Sequence, residues 1–204
     1  MTGNDTYITI TKESEGYFRD RGSKFYAFAY PVENEEQIKD RLEYLRKKYF
    51  DARHHCYAWV LGPEKTTYRI NDDGEPGNSA GRPIYGRILS HDLTNILIVV
   101  IRYFGGVKLG IPGLIHAYKT AAEEAITQNT PITKTINTVF ELTYAYPLMN
   151  EVMRVVKEDN LNVILQDFGM DCRLQISVRR SAADSVESKL LSIRNLTITN
   201  LFTA

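Results

Sequence analysis

Two short stretches carry the residue types that do chemistry. The first reads Asp72-Asp73-Gly74-Glu75-Pro76-Gly77-Asn78-Ser79-Ala80-Gly81-Arg82-Pro83. Asp72, Asp73 and Glu75 offer oxygen ligands of the kind a hard cation takes, but their spacing is not that of a calcium-binding loop. Turn formation and helix capping use the same side chains more cheaply. No metal and no cofactor are therefore expected here. The second stretch reads Arg102-Tyr103-Phe104-Gly105-Gly106-Val107-Lys108-Leu109-Gly110. Glycines and a lysine before a helix N-terminus form an arrangement that holds an anion. The spacing is neither that of the nucleotide P-loop nor that of the dinucleotide fingerprint. The alternative is a tight strand-to-helix turn. Arg102 has two open readings: an anion-binding guanidinium, or the buried partner of Asp72, Asp73 or Glu75. The candidate binding residues are thus Arg82, Arg102, Gly105, Gly106, Lys108, Gly110, Asp72, Asp73 and Glu75.

A third place to look is Arg53-His54-His55-Cys56-Tyr57. In a strand, His54 and Cys56 share a face. Two ligands do not make a zinc site, and the sequence offers no second Cys/His cluster. A Cys/His nucleophile pair needs a hydrogen bond that sharing a face does not guarantee. A packed cysteine beside a hydrogen-bonded histidine is the preferred reading, and no catalytic residue is assigned.

The elements that must position these residues follow from periodicity. Thr6 to Thr11 and Lys24 to Val32 read as strands, with Tyr17 to Gly22 a short strand or turn between them. Asn34 is placed to cap a helix whose core face is Ile38, Leu42, Leu45 and Tyr49. Arg53 to Leu61 and Thr66 to Ile70 are strands, and the acidic loop follows at once. A helix from near Ser79 should turn Ile84, Ile88 and Leu89 inward. Ile96 to Ile101 is apolar on both faces, the mark of a central strand covered on each side. Pro112 suits the first turn of the next helix, which presents Leu114, Tyr118, Ala121, Ala122, Ala125 and Ile126 on one face.

Gln128-Asn129-Thr130-Pro131 is a polar break, placing one domain at residues 1–130 and a second at 131–204. Beyond it come a strand (Asn137 to Ala145), a helix (Leu148 to Glu158), a hairpin around Gly169 and a helix capped by Ser181. Leu196 to Thr203 closes the chain as a strand. The order βαββαβ is ferredoxin-like, and the overall class is α+β. In Asp171 to Arg179, Cys172, Leu174, Ile176 and Val178 should point inward. Arg173, Gln175, Ser177 and Arg179 should point out, without the aromatics that RNA-recognition sheets use for stacking.

The chain has 204 residues, long enough to bury a core without a covalent staple. Its 25 basic and 25 acidic side chains balance. That balance argues against bulk attraction to nucleic acid or to an anionic membrane and leaves room for a local basic patch. Two cysteines make no disulfide framework and fit a reducing cytosol. The N-terminal residues carry no basic and apolar leader, and the longest apolar run is far short of a bilayer span. A cytoplasmic location is expected.

The two central stretches, together with Arg53-His54-His55-Cys56-Tyr57-Ala58, resemble the IMPACT family, also called the YigZ or UPF0029 family. The tail resembles the second domain of its bacterial members. The resemblance implies an N-terminal domain of the ribosomal-protein-S5-domain-2-like fold and a ferredoxin-like C-terminal domain similar to the last domains of translocase elongation factors. It implies a link to translation as well, because eukaryotic members regulate translation during amino-acid starvation by competing for the activator of an initiation-factor kinase. The further N-terminal domain of those members is not expected here, so their partner contacts do not carry over.

Two functions compete. One is a non-enzymatic cytosolic protein that regulates translation, a stress response, by binding the ribosome, RNA or a translation-related protein. The other is a hydrolase-type enzyme acting on a small phosphorylated or acidic substrate held between the acidic loop and the glycine turn.

Overall fold

The computed structural model describes residues 5–169 and 171–203. It divides into two compact units, Ile8–Lys134 and a second made of Met1–Tyr7 with Thr135–Ala204.

The larger unit is built on a five-stranded antiparallel sheet. Its strands are β2 (Ser14–Asp20), β3 (Ser23–Pro31), β4 (His54–Leu61), β5 (Thr67–Asn71) and β6 (Ile96–Tyr103), in the order β2-β3-β6-β4-β5. Alternation explains how one sheet serves two cores. Phe25, Ala27, Ala29, Cys56, Ala58, Ile98 and Val100 point to one face, where α2 (Gly81–Ser90) and α3 (Gly110–Thr127) cover them. Phe28, Tyr30, Tyr57, Trp59, Leu97, Val99 and Ile101 point to the other, beneath α1 (Glu35–Lys48). β6 lies in the middle, and Ile96 through Ile101 have no exposed surface at all. That is why this run is apolar on both sides.

Caps come from unequal sources. The Asn34 side chain accepts the Gln37 amide at 2.9 Å and starts α1, as its position predicts. α2 starts at Gly81 rather than near Ser79, and Ala80 gives it no side-chain cap. Ile84 and Ile88 are buried, but Leu89 is 43% exposed. Ile88 follows Ile84 by four residues and shares its stripe, whereas Leu89 is turned about 100° further round the helix and faces solvent, so the expectation that Leu89 points inward fails.

The smaller unit has β8 (Asn137–Ala145), α4 (Met149–Glu158), β9 (Asn162–Phe168), β10 (Asp171–Arg179), α5 (Arg180–Leu191) and β11 (Thr197–Thr203). The antiparallel sheet order is β11-β8-β10-β9, which completes the ferredoxin-like topology. Cys172, Leu174, Ile176 and Val178 are buried with residues of α4 and α5, while Arg173 and Arg179 are exposed. Ser181 does not cap α5. The helix begins one residue earlier, at Arg180, and has no side-chain cap. Ser181 instead hydrogen-bonds the Asp5 carboxylate. The segment read as a polar break is partly a strand: β7 (Pro131–Thr135) pairs with β1 (Thr6–Ile10).

Candidate functional site

The acidic loop turns inward, and each carboxylate has internal work. Asp72 Oδ1 accepts the amides of Ala80 at 2.9 Å and Gly81 at 2.8 Å, and its Oδ2 accepts the Asn78 amide at 2.8 Å. It is the missing cap of α2, supplied from eight residues upstream. Gly81 itself must be glycine, because a Cβ there would lie 2.8 Å from the Asn71 amide nitrogen. Asp73 Oδ2 accepts the His55 amide at 2.7 Å, and the Asp73 carbonyl oxygen lies 2.9 Å from His54 Nδ1. The loop is thereby tied to the start of β4 twice.

Glu75 goes deepest. Its side chain is 4% exposed and pairs with Arg102 Nη1 at 2.6 Å, the arginine side chain being 7% exposed. The same carboxylate oxygen accepts the Tyr118 hydroxyl at 2.8 Å. Burial pushes the Tyr118 phenol far above its usual range, and the nearby Cys56 and Glu75 add to this. The phenol therefore keeps its proton and donates. The Cys56 sulfur lies 3.0 Å from the Asp72 carbonyl oxygen and 3.3 Å from the Tyr118 hydroxyl. Its thiol is also held well above the ordinary range, chiefly by burial. A thiol in that state is a poor nucleophile. His54 is bonded away from it, to Asp73, so strand proximity does not produce a Cys/His pair.

The Arg102 guanidinium sits between two rings, with its carbon 5.6 Å from the centroids of both Phe25 and Phe104. Cation–π contact and the Glu75 pair together offset its desolvation. Of the two readings open for Arg102, the carboxylate partner exists and is Glu75. The Arg102 Nε, however, is buried with no hydrogen-bond partner among the described residues.

The glycine turn follows directly. A Cβ on Gly105 would come within 1.9 Å of the Gly22 carbonyl carbon, so this glycine lets two turns touch. Its amide donates to Ser23 Oγ at 3.1 Å. Gly106 and Gly110 have φ of 88° and 70°, the left-handed region that glycine tolerates. Gly110 begins α3, whose N-cap residue Leu109 makes no side-chain cap bond.

A cleft of roughly 350 Å³ opens where these parts meet. Glu75 and Arg102 line it, Lys108 and Gly110 stand at the start of α3, and Phe104, Leu109, Ile111 and Leu114 supply apolar wall. Four of the nine candidate residues, Glu75, Arg102, Lys108 and Gly110, are brought together here. Arg82 is exposed in the first turn of α2, away from the cleft, and Asp72, Asp73, Gly105 and Gly106 also do not line it. Sequence reasoning left out Tyr118, Phe25 and the apolar walls. Tyr118 had one visible signal: a polar tip in an otherwise alanine-rich helix face. Among the described residues, no group of three or more His, Cys, Asp or Glu side chains gathers as a metal site would require.

Residues 21–126 match the Impact N-terminal domain, which is more than half of the chain. The chain belongs to the IMPACT family. It is 29% identical over 170 residues to IMPACT family member YigZ of Escherichia coli, covering 82% of this chain and 83% of that protein. A crystal structure of a hypothetical protein superposes with a TM-score of 0.74 at 26% identity, over 97% of this chain and 98% of the other. The structure of the two-domain translational regulator Yih1 is 30% identical, covering 60% of this chain and 47% of that one, with a TM-score of 0.36. The matched IMPACT segment contains the whole loop, β6, the glycine turn and all but the last residue of α3. Among the described residues, no helix is long and apolar enough to cross a membrane.

Proposed function

We propose that this IMPACT-family protein is a non-enzymatic cytosolic regulator of translation that works by binding, with the ribosome or RNA as its partner. Family membership supports the translational role. The observation that favours binding over catalysis is the internal use of the loop: Asp72 caps α2, Asp73 ties down β4, and one oxygen of Glu75 is shared by Arg102 and Tyr118. A general base or nucleophile needs a lone pair directed at substrate. Here the groups with suitable chemistry are directed at the protein. Lys108 and Arg82 remain exposed and able to meet phosphate.

Co-sedimentation of the full chain with ribosomes, and with ribosome-free RNA, tests this. Association at low salt that weakens as salt rises is expected, since phosphate contacts release counterions. Lys108→Ala together with Arg82→Ala should lower it further. No association with either at low salt would remove the reading. Salt-tolerant capture of a translation-related protein instead would replace the partner and keep the role.

A second reading draws on the cleft itself: a hydrolase-type enzyme acting on a small phosphorylated or acidic molecule. Release of phosphate from small phosphate esters, abolished by Glu75→Gln in a variant that still folds, would support it.

A further inference from the structure

We infer that the cleft at the start of α3 is a binding site for a small organic oxyanion, a carboxylate or phosphate carried on a compact apolar body. Charge is the first argument. Arg102 is neutralised by Glu75 at 2.6 Å. Lys108 is not so matched inside the cleft, and the first-turn amides of an 18-residue helix add the positive end of its dipole. The surplus is positive and small. It suits one anionic group rather than a run of phosphates.

A second observation is independent of the helix. The Arg102 side chain lines the cleft, is 7% exposed, and has its Nε donor buried without an acceptor. Buried donors are almost always satisfied. Glu75 takes only Nη1 of this guanidinium, so a side chain that lines the cleft keeps donor capacity beyond its ion pair.

Shape supplies the third argument. The walls are Pro76, Phe104, Leu109, Ile111 and Leu114. Phe104 is 58% exposed and Ile111 is 53% exposed at this mouth. Apolar surface held in water beside a cation is what a molecule with a charged head and an apolar body covers. The volume lies at the small end of the roughly 300–1,000 Å³ range of ligand clefts, so the body is compact. An inorganic ion would leave these walls wet. The inference goes beyond translational control and does not depend on it.

Amide chemical shifts of the full chain, titrated with four probes, decide it. Phenyl phosphate and benzoate share an oxyanion and a ring, inorganic phosphate lacks the ring, and benzyl alcohol lacks the charge. Shifts confined to the residues about the cleft, Glu75 and the stretch 102–114, are expected with phenyl phosphate or benzoate. Affinity should exceed that of either incomplete probe by about tenfold, the value of one good polar or apolar contact. Preference between the two complete probes tells phosphate from carboxylate. Lys108→Gln, at an exposed position, should weaken binding several-fold and leave the remaining shifts in place. Equal binding of inorganic phosphate, shifts scattered over the surface, or unchanged affinity in Lys108→Gln would each overturn the inference. Ribosome association plays no part in the readout, so failure here and failure of the translational reading are separate results.

Discussion

At the scale of single residues, the Glu75–Arg102 pair is the feature on which the centre of the larger unit depends. Both side chains are more than nine-tenths buried and share one short contact. Bringing two charges out of water is expensive, and the pair is held by what surrounds it: Phe25 and Phe104 on the guanidinium and Tyr118 on the carboxylate. The protein therefore needs both members or neither. Glu75→Gln leaves an uncompensated buried cation and should cost about 3–5 kcal/mol. Arg102→Met combined with Glu75→Leu should recover much of that loss, because apolar replacement removes both desolvation penalties. Urea denaturation of the two variants measures this. A Glu75→Gln cost under about 1 kcal/mol would mean that water reaches the pair in solution.

At the scale of elements, the loop between β5 and α2 works as a clasp. Its backbone meets few partners of its own, so its side chains close it. Asp72 alone gathers three amides and starts α2. Asp72→Ala should lose about 2 kcal/mol, at the upper end for a single helix cap, because it orphans more than one donor. Thermal unfolding followed by circular dichroism checks it, and Asp72→Asn should recover part of the loss. Across the sheet, Gly105 performs the corresponding job for the glycine turn by letting β6 close against the β2–β3 hairpin. α3 adds a third tie between elements: Glu123 meets Arg87 at 3.3 Å and His91 at 2.9 Å, both from the α2 segment.

At the scale of the whole molecule, two units each carry their own core. The larger has one on either face of its sheet and the smaller has one beneath its two helices. The N-terminal Asp5 is grouped with the smaller unit. Arg179 Nε and Nη2 donate to its two carboxylate oxygens at 2.6 and 3.1 Å, and its carbonyl oxygen accepts the Ile136 amide at 2.7 Å. Hydrogen bonds from Arg179 and Ser181 hold the Asp5 carboxyl down to about 2. A carboxyl depressed in the folded state stabilises fully above its unfolded pKa of about 3.9, and the contribution is lost as pH falls toward the folded value. Asp5→Asn should therefore lower the melting temperature at pH 6, with the difference from the parent shrinking between pH 4 and pH 2. A difference independent of pH would show that the Asp5 charge has no role.

Local order was largely legible in the sequence, because periodicity and capping act over a few residues. The double-sided apolarity of Ile96 to Ile101 announced a central strand. Asn34 marked the start of α1, and the alternation of Cys172 to Arg179 divided inner from outer face. The motif set from Asp72 to Gly110 carries the family likeness in the sequence itself. What the sequence left open at Arg102 was decided by tertiary structure, since a buried ion pair is chosen by distance and desolvation across 27 residues of chain. The same holds for Asp72 capping a helix it does not belong to, for Tyr118 reaching Glu75 from α3, and for the Gly105 approach to Gly22. Composition and spacing determined which side chains were available to the site. Only the packing of β6, α3 and the acidic loop determined which of them face the protein and which face the cleft.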